Sequence, residues 1–275
     1  MMTLSCFRRF ALAGAALTTI LVSVPVAAQG DLLIAPTRVI ISQGGSSEVI
    51  LSNIGVDPAT YRISVELRRM DEDGDFNAVT EAEATPAEQA ALQMVTYAPR
   101  RISLLPGQPQ SVRISIRPPA GLPDGEYRVH LNFRAVPPAL KPEAISDPAA
   151  GVSIKLTPVY GITIPVFVRR GRLDASATLA NAHLVREPNG SYVELDMTRA
   201  GQRSVYGELI GKSARGETLF NLRGIAVYAE ITRRKVQIPL SAEQLIKLKG
   251  PIKVEYREMA ENGGALIAET SATFP

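Results

Sequence analysis

Residues 152–168 read VSIKLTPVYGITIPVFV, and every second position along them is apolar. Val152, Ile154, Leu156, Pro158, Tyr160, Ile162, Ile164, Val166 and Val168 share one face of an extended chain. Ser153, Lys155, Thr157, Gly161 and Thr163 lie on the other, with Val159, Pro165 and Phe167 as exceptions. A single strand of this length would run roughly 55 Å at about 3.3 Å per residue, where an ordinary strand covers ~17–20 Å. One small β domain cannot cover so long an apolar face. The surplus is either a linker that reads as strand or a surface meant for another chain. Pro158 cannot donate a ladder hydrogen bond, which argues against a central position there.

The segment before it, Pro137–Ala150, is rich in Pro and Ala, lacks periodicity and reads as a loop. Upstream, Leu32–Ser42, Ser47–Asn53, Ala59–Arg69, Ser111–Pro118 and Gly125–Val136 are β-rich runs between Gly, Pro, Asn and Asp. Downstream, Arg169-Arg170-Gly171 marks a boundary. Seven further strands are expected at Leu173–Val185, Tyr192–Arg199, Ser204–Lys212, Leu219–Val227, Val236–Leu240, Ile252–Met259 and Leu266–Phe274. Asn189-Gly190 and Asn262-Gly263 are hairpin turn signals. Thr85-Pro86-Ala87-Glu88 and Ser241-Ala242-Glu243-Gln244 have the form of capping boxes and predict two short helices. Strand number and turn spacing predict an all-β chain of two tandem Ig-like β-sandwiches.

The first residues have the form of an export signal: Arg8 and Arg9, an apolar run Phe10–Val24, and Val26-Ala27-Ala28 before Gln29. The expected organisation is a signal peptide at 1–28, a first domain at 29–170 and a second at 171–275. Loss of the signal lowers the net charge from +3 to +1, because Arg8 and Arg9 leave with it. That leaves no electrostatic case for nucleic acid as partner. No further stretch is long and apolar enough to predict membrane insertion. Cys6, the one cysteine, lies in the signal, so no disulfide, thiol nucleophile or Cys-ligated metal is expected.

A catalytic reading finds little support. The chain has no Gly-x-Ser-x-Gly, His-Glu-x-x-His or phosphate-binding glycine loop. His130 falls on the polar side of a strand and reads as a structural or hydrogen-bonded residue. His183 reads as a surface strand residue. Asp71–Asp75 is acidic, but a calcium loop needs Gly and Glu where this chain has Phe76 and Ala82, so a solvated turn is expected. No enzyme activity and no cofactor are predicted. Binding fares better, since an apolar-faced edge strand beside a loop offers both backbone pairing and alternate side chains to a foreign strand.

Several segments resemble the periplasmic pilus-assembly chaperones, the PapD-like family. Residues 34–40, IAPTRVI, are similar to that family's first strand, including its Thr-Arg pair. Residues 101–107, RISLLPG, with Gln110 through Ile114, resemble its Leu-x-Pro and Gln-x-x-Arg run. The most specific match is Leu122-Pro123-Asp124-Gly125-Glu126, followed by Asn132, Arg134 and Val136-Pro137-Pro138. Tyr127 departs from the family's usual residue, as a divergent member would. The resemblance covers most of 31–170; the second domain is similar mainly in size and β pattern.

The resemblance implies two Ig-like domains set as a boomerang, working in the periplasm on pilus or fimbrial subunits and an outer-membrane usher. The first domain's last strand would be lent to a subunit that lacks one, through Val152, Ile154 and Leu156, with Tyr160 at the end of the lent part. Each buried aliphatic side chain contributes about 1.5–3 kcal/mol before ordering costs, so a few suffice. Arg38 matches the family's cleft arginine, which anchors the subunit's C-terminal carboxylate. The family's second anchor is a lysine late in that strand, and residues 161–168 contain none. Lys155, the only basic residue in the strand, lies well upstream. The alternative is a secreted structural or adhesive β-sandwich, which would self-associate through its edge strand.

Overall fold

The computed structural model describes residues 32–42, 45–137 and 159–275. The expected signal peptide, Pro158 and the donor positions Val152, Ile154, Lys155 and Leu156 lie outside the described residues.

The first sandwich packs two sheets face to face. One has the order β1 (Leu32–Ala35), β3 (Ser46–Asn53), β8 (Pro109–Ile116), β6 (Val95–Ala98). The other runs β2 (Val39–Ser42), β10 (Gly161–Arg170), β9 (Gly125–Ala135), β4 (Ala59–Met70), β5 (Phe76–Val79), with β7 (Arg101–Leu104) also paired to β4. This is the strand arrangement of an Ig-like fold. Alternation builds the core: Tyr127, Val129, Leu131 and Phe133 of β9 point inward onto Val49, Leu51, Val112 and Ile114 of the facing sheet.

The second sandwich joins β11 (Ala175–Glu187), β12 (Gly190–Gly201) and β15 (Arg233–Leu240) to a sheet of β14 (Thr218–Val227), β13 (Val205–Ser213), β16 (Gly250–Arg257) and β17 (Leu266–Phe274). Its core, from Ala177 to Phe274, shares no residue with the first, which runs from Leu32 to Val168. The molecule is thus two β-sandwiches in tandem. A small third cluster of Met70, Phe167, Ala226 and Tyr228 packs where they meet.

Both capping boxes form. Thr85 caps α1 (Pro86–Met94) and Ser241 caps α2 (Ala242–Lys247), each with the reciprocal bond from the third helical residue. Three expectations need correction. Residues 32–42 are not one strand: the chain breaks at Pro36, so β1 joins one sheet and β2 the other. Proline has no N–H to offer a ladder, and a switch of sheets there loses no hydrogen bond. Asn262-Gly263 is not a two-residue turn, because a short 3-10 turn, Ala260–Asn262, precedes Gly263. The third correction concerns the decisive stretch. Among the described residues the strand starts at Gly161, so Val159 and Tyr160 stand outside it, and it runs through Arg169 to Arg170, where Gly171 ends it.

Candidate functional site

β10 has two unlike halves. Val166–Arg169 pair in parallel with Val39–Ser42 of β2, so there the strand is internal to its sheet and not an edge. From Gly161 to Pro165 it pairs only with β9, and its other side is a free edge among the described residues. The sheet switch at Pro36 creates that edge, since β1 leaves for the opposite sheet. Ile164, Val166 and Val168 are buried in the first core, whereas Ile162 is 37% and Tyr160 51% exposed. Apolar exposure therefore rises toward the upstream end of the strand. Tyr160 stands just before the strand, its carbonyl accepting from the Ala135 N–H at 2.9 Å.

Phe167, an exception to the alternation, is fully buried on the opposite face against the second domain. Its ring meets Tyr228 edge-on at 5.4 Å. The Arg38 guanidinium carbon lies 3.8 Å from the Phe167 ring centre, 4.4 Å from Tyr206 and 5.6 Å from Tyr228. Arg38 thus sits between the domains, stacked on three aromatic rings. It donates to the Tyr228 hydroxyl at 3.4 Å and to Ser204 Oγ at 3.2 Å. No carboxylate lies within ion-pair distance of it among the described residues. Burial holds its pKa below the ordinary arginine value, partly opposed by Tyr228 and Glu126. The Tyr228 hydroxyl is pushed up, also by burial. Arg38 opens on a cavity of about 220 Å3 lined also by Ile40, Arg169, Arg203, Ser204, Tyr206, Glu258 and Asn262.

Glu126 is next to this cavity but already occupied. Its carboxylate is 1% exposed, accepts from Arg169 Nε at 2.9 Å and takes the Ser204 N–H and Oγ–H at 3.0 and 3.1 Å. Ser204 Oγ therefore accepts from Arg38 and donates to Glu126. Arg203 lines the cavity from the second domain and has no ion-pair partner among the described residues. A second cavity, of about 190 Å3, lies between α1 and the second domain. Its charges are paired, Arg69 with Glu88 at 2.6 Å and Arg128 with Glu230 at 2.5 Å. Among the described residues the first cavity is lined by two cations outside any ion pair, Arg38 and Arg203, against one such acid, Glu258, while the cations of the second are paired, which makes the first the candidate anion site.

The remaining motif residues scatter. Asn132 donates to Glu66 at 2.9 Å on the outer face of the sheet. Arg134 is exposed, and Pro137 is exposed two residues beyond β9. His130 is not a hydrogen-bonded polar residue: it is 3% exposed and neither ring nitrogen has a partner among the described residues. Phe76 of β5 covers it, with ring centres 5.5 Å apart. Asp71 closes the β4–β5 turn by accepting from the Asp73 and Asp75 N–H groups. His183 lies on β11, its Nδ1 2.7 Å from the Asn181 carbonyl. Ser204, Tyr206 and Tyr228 had no signal in the sequence, because what matters in them is contact with Arg38 across 166 to 190 residues.

No protein-family profile matches the chain, and no curated protein is similar to it. Solved structures are similar to it. Chaperones in complex with pilus subunits are among them. One is the CsuC chaperone with the CsuE tip adhesion subunit from Acinetobacter baumannii, 15% identical over 89% of this chain and 98% of that one, TM-score 0.46. Another is the E. coli chaperone DraB, 15% identical over 89% and 96%, TM-score 0.44. A third is the SafB chaperone in complex with the SafA pilin from Salmonella enterica, 17% identical over 88% and 95%, TM-score 0.44.

Proposed function

We propose that this chain, with an export signal at 1–28 removed and its two domains joined near Gly171, is a periplasmic chaperone for pilus or fimbrial subunits. It lends a strand to a subunit that lacks one and passes the subunit to an outer-membrane usher. The observation that carries this reading is the join of two features on β10. The strand has a free edge over Gly161–Pro165 among the described residues, and its other end packs against a half-buried arginine that has no ion-pair partner among them. Burying a charge unpaired is costly, so a desolvated guanidinium beside a cavity is poised for an anion. A chain-terminal carboxylate held there would fix the register of a strand laid along the free edge. Val152, Ile154 and Leu156 supply the lent side chains on this reading, and Arg203 offers a second cation that the absent lysine would otherwise supply.

The test is capture. The chain is co-expressed with an Ig-like pilus subunit encoded beside its gene, and the complex is isolated through a tag on the chaperone. The double substitution I154D/L156D is expected to abolish co-purification, and Arg38→Ala to reduce it at least tenfold, both with unchanged thermal unfolding. Capture that survives I154D/L156D removes the donor-strand assignment. Self-association of the purified chain, read by light scattering, favours the adhesive alternative instead.

A further inference from the structure

The outer face of the β10-containing sheet carries a row of arginines that the fold does not use. Arg62 of β4 stands in direct register with Arg101 of β7 on one side and Arg134 of β9 on the other. Directly paired residues share a face, so three guanidinium groups project side by side from three adjacent strands. At about 4.8 Å between strands, the row packs three positive charges into ~10 Å, near one Debye length at physiological salt. All three residues are exposed. None has a carboxylate within ion-pair distance among the described residues. Like charges placed directly opposite one another disfavour the sheet.

Three cations elsewhere on this face have counter-ions, one of them Glu230 from the second domain. Arg68 pairs with Glu66, Arg128 with Glu230 and Arg169 with Glu126. The flanking rows are neutral: Thr60 and Ser103 on one side, Ser64, Asn132 and Thr163 on the other. At the Arg101–Arg62–Arg134 row three cations stand directly opposite one another with no such partner among the described residues. The row ends at Gly161, which is paired with Arg134 and has no side chain, where the free edge of β10 begins.

We propose that this row is a docking surface for an acidic polypeptide segment. Arginine forks match carboxylates with two parallel hydrogen bonds, and carboxylates at alternate positions of an extended segment recur about every 7 Å. A bilayer is a poor fit, because the same face meets the second domain through Phe167 and Arg128 further along. The near-neutral mature charge likewise gives no broad field for nucleic acid. The proposal stands whether or not a strand adds at the β10 edge.

The probe is a fluorescein-labelled octapeptide of alternating Glu and Ser, with a Gln/Ser octapeptide as control, titrated with the full mature chain by anisotropy. The chain is expected to bind the Glu peptide at least tenfold more tightly than the Gln peptide at low salt. R62Q/R134Q should erase that preference. R186Q/K249Q, which removes the same charge from the second domain, should retain it. R101Q alone should weaken it and serves as the second variant if the double substitution impairs folding. Equal binding by R62Q/R134Q and the parent chain overturns the proposal, as does equal weakening by R186Q/K249Q. Binding of phosphatidylglycerol vesicles without preference for the Glu peptide also overturns it, in favour of a lipid surface.

Discussion

His130 shows how far a single residue can be read from its strand. Alternation along β9 places it outward with Arg128, Asn132 and Arg134, and the structure agrees about the direction. Alternation carries no information about what covers that face. Phe76 comes from a four-residue strand across a turn, while Glu66 and Pro165 stand opposite His130 on β4 and β10. Burial, reinforced by Arg128 and Arg68, pushes the imidazole pKa down to about 3. The folded state therefore prefers the neutral ring, while the unfolded chain binds a proton below the ordinary value of about 6.5. The unfolded state holds more protons between pH 3 and 6.5, so stability rises with pH across that window. Glu88 and Glu255 are held near 2, by Arg69 and Lys212 respectively, and contribute their losses only below the ordinary carboxylate range. Between pH 6.5 and 5 the histidine effect stands apart. Urea titrations should show a loss of about 1.6 kcal/mol over that interval, less than the full ~1.36 kcal/mol per pH unit because the unfolded ring is only half protonated at its upper end. His130→Phe should flatten it; an equally steep variant would assign the slope to another group.

Elements were legible where their signal was local. Thr85 and Glu88 announce a helix start in the sequence, and the structure closes that box: Thr85 Oγ1 accepts from the Glu88 N–H at 3.3 Å and Glu88 accepts from the Thr85 N–H at 2.8 Å. Thr85→Ala should cost about 1 kcal/mol, the usual loss for a side-chain cap, measured as a lower urea midpoint at pH 7. No change would mean that Arg69, which reaches Glu88 through both Nε and Nη2, fixes the first turn without the cap. The seven strands of the second domain were equally plain, because each alternates over eight or more residues between turn signals. β5, β6 and β7 escaped notice: four residues hold too few alternations to stand out from a loop. The division of residues 32–42 into β1 and β2 escaped for the opposite reason. Leu32, Ile34, Val39 and Ile41 are all buried, so the pattern gives no hint that two sheets share them. That division leaves half of β10 with β9 as its one neighbour among the described residues, and so the feature most relevant to binding came from a break the periodicity concealed.

At the scale of the molecule, the contacts that join the domains link residues 78 to 190 positions apart and leave no local trace. Glu230 is the most connected of them. Its carboxylate accepts both Nη groups of Arg128, at 2.9 and 2.5 Å, and the Met70 N–H at 2.8 Å. Arg128 is largely buried and also stacks on Tyr228, with its guanidinium carbon 4.1 Å from the ring centre. Tyr228 in turn meets Phe167 and Arg38, so the pair and the candidate anion site share one aromatic wall. Removing one partner of a buried pair costs more than the pair contributes, because the other charge is left stranded. Glu230→Ala should therefore cost about 3 kcal/mol and act mainly on the join, since neither sandwich core contains Glu230. Calorimetry of the parent chain is expected to show one cooperative transition, and of Glu230→Ala two, as each sandwich unfolds on its own core. Pairing Glu230→Ala with Arg128→Met should recover much of the loss by removing the stranded charge. A single transition in the variant, or no recovery in the double substitution, would place the coupling in the aromatic cluster and the Glu126–Ser204 contacts instead.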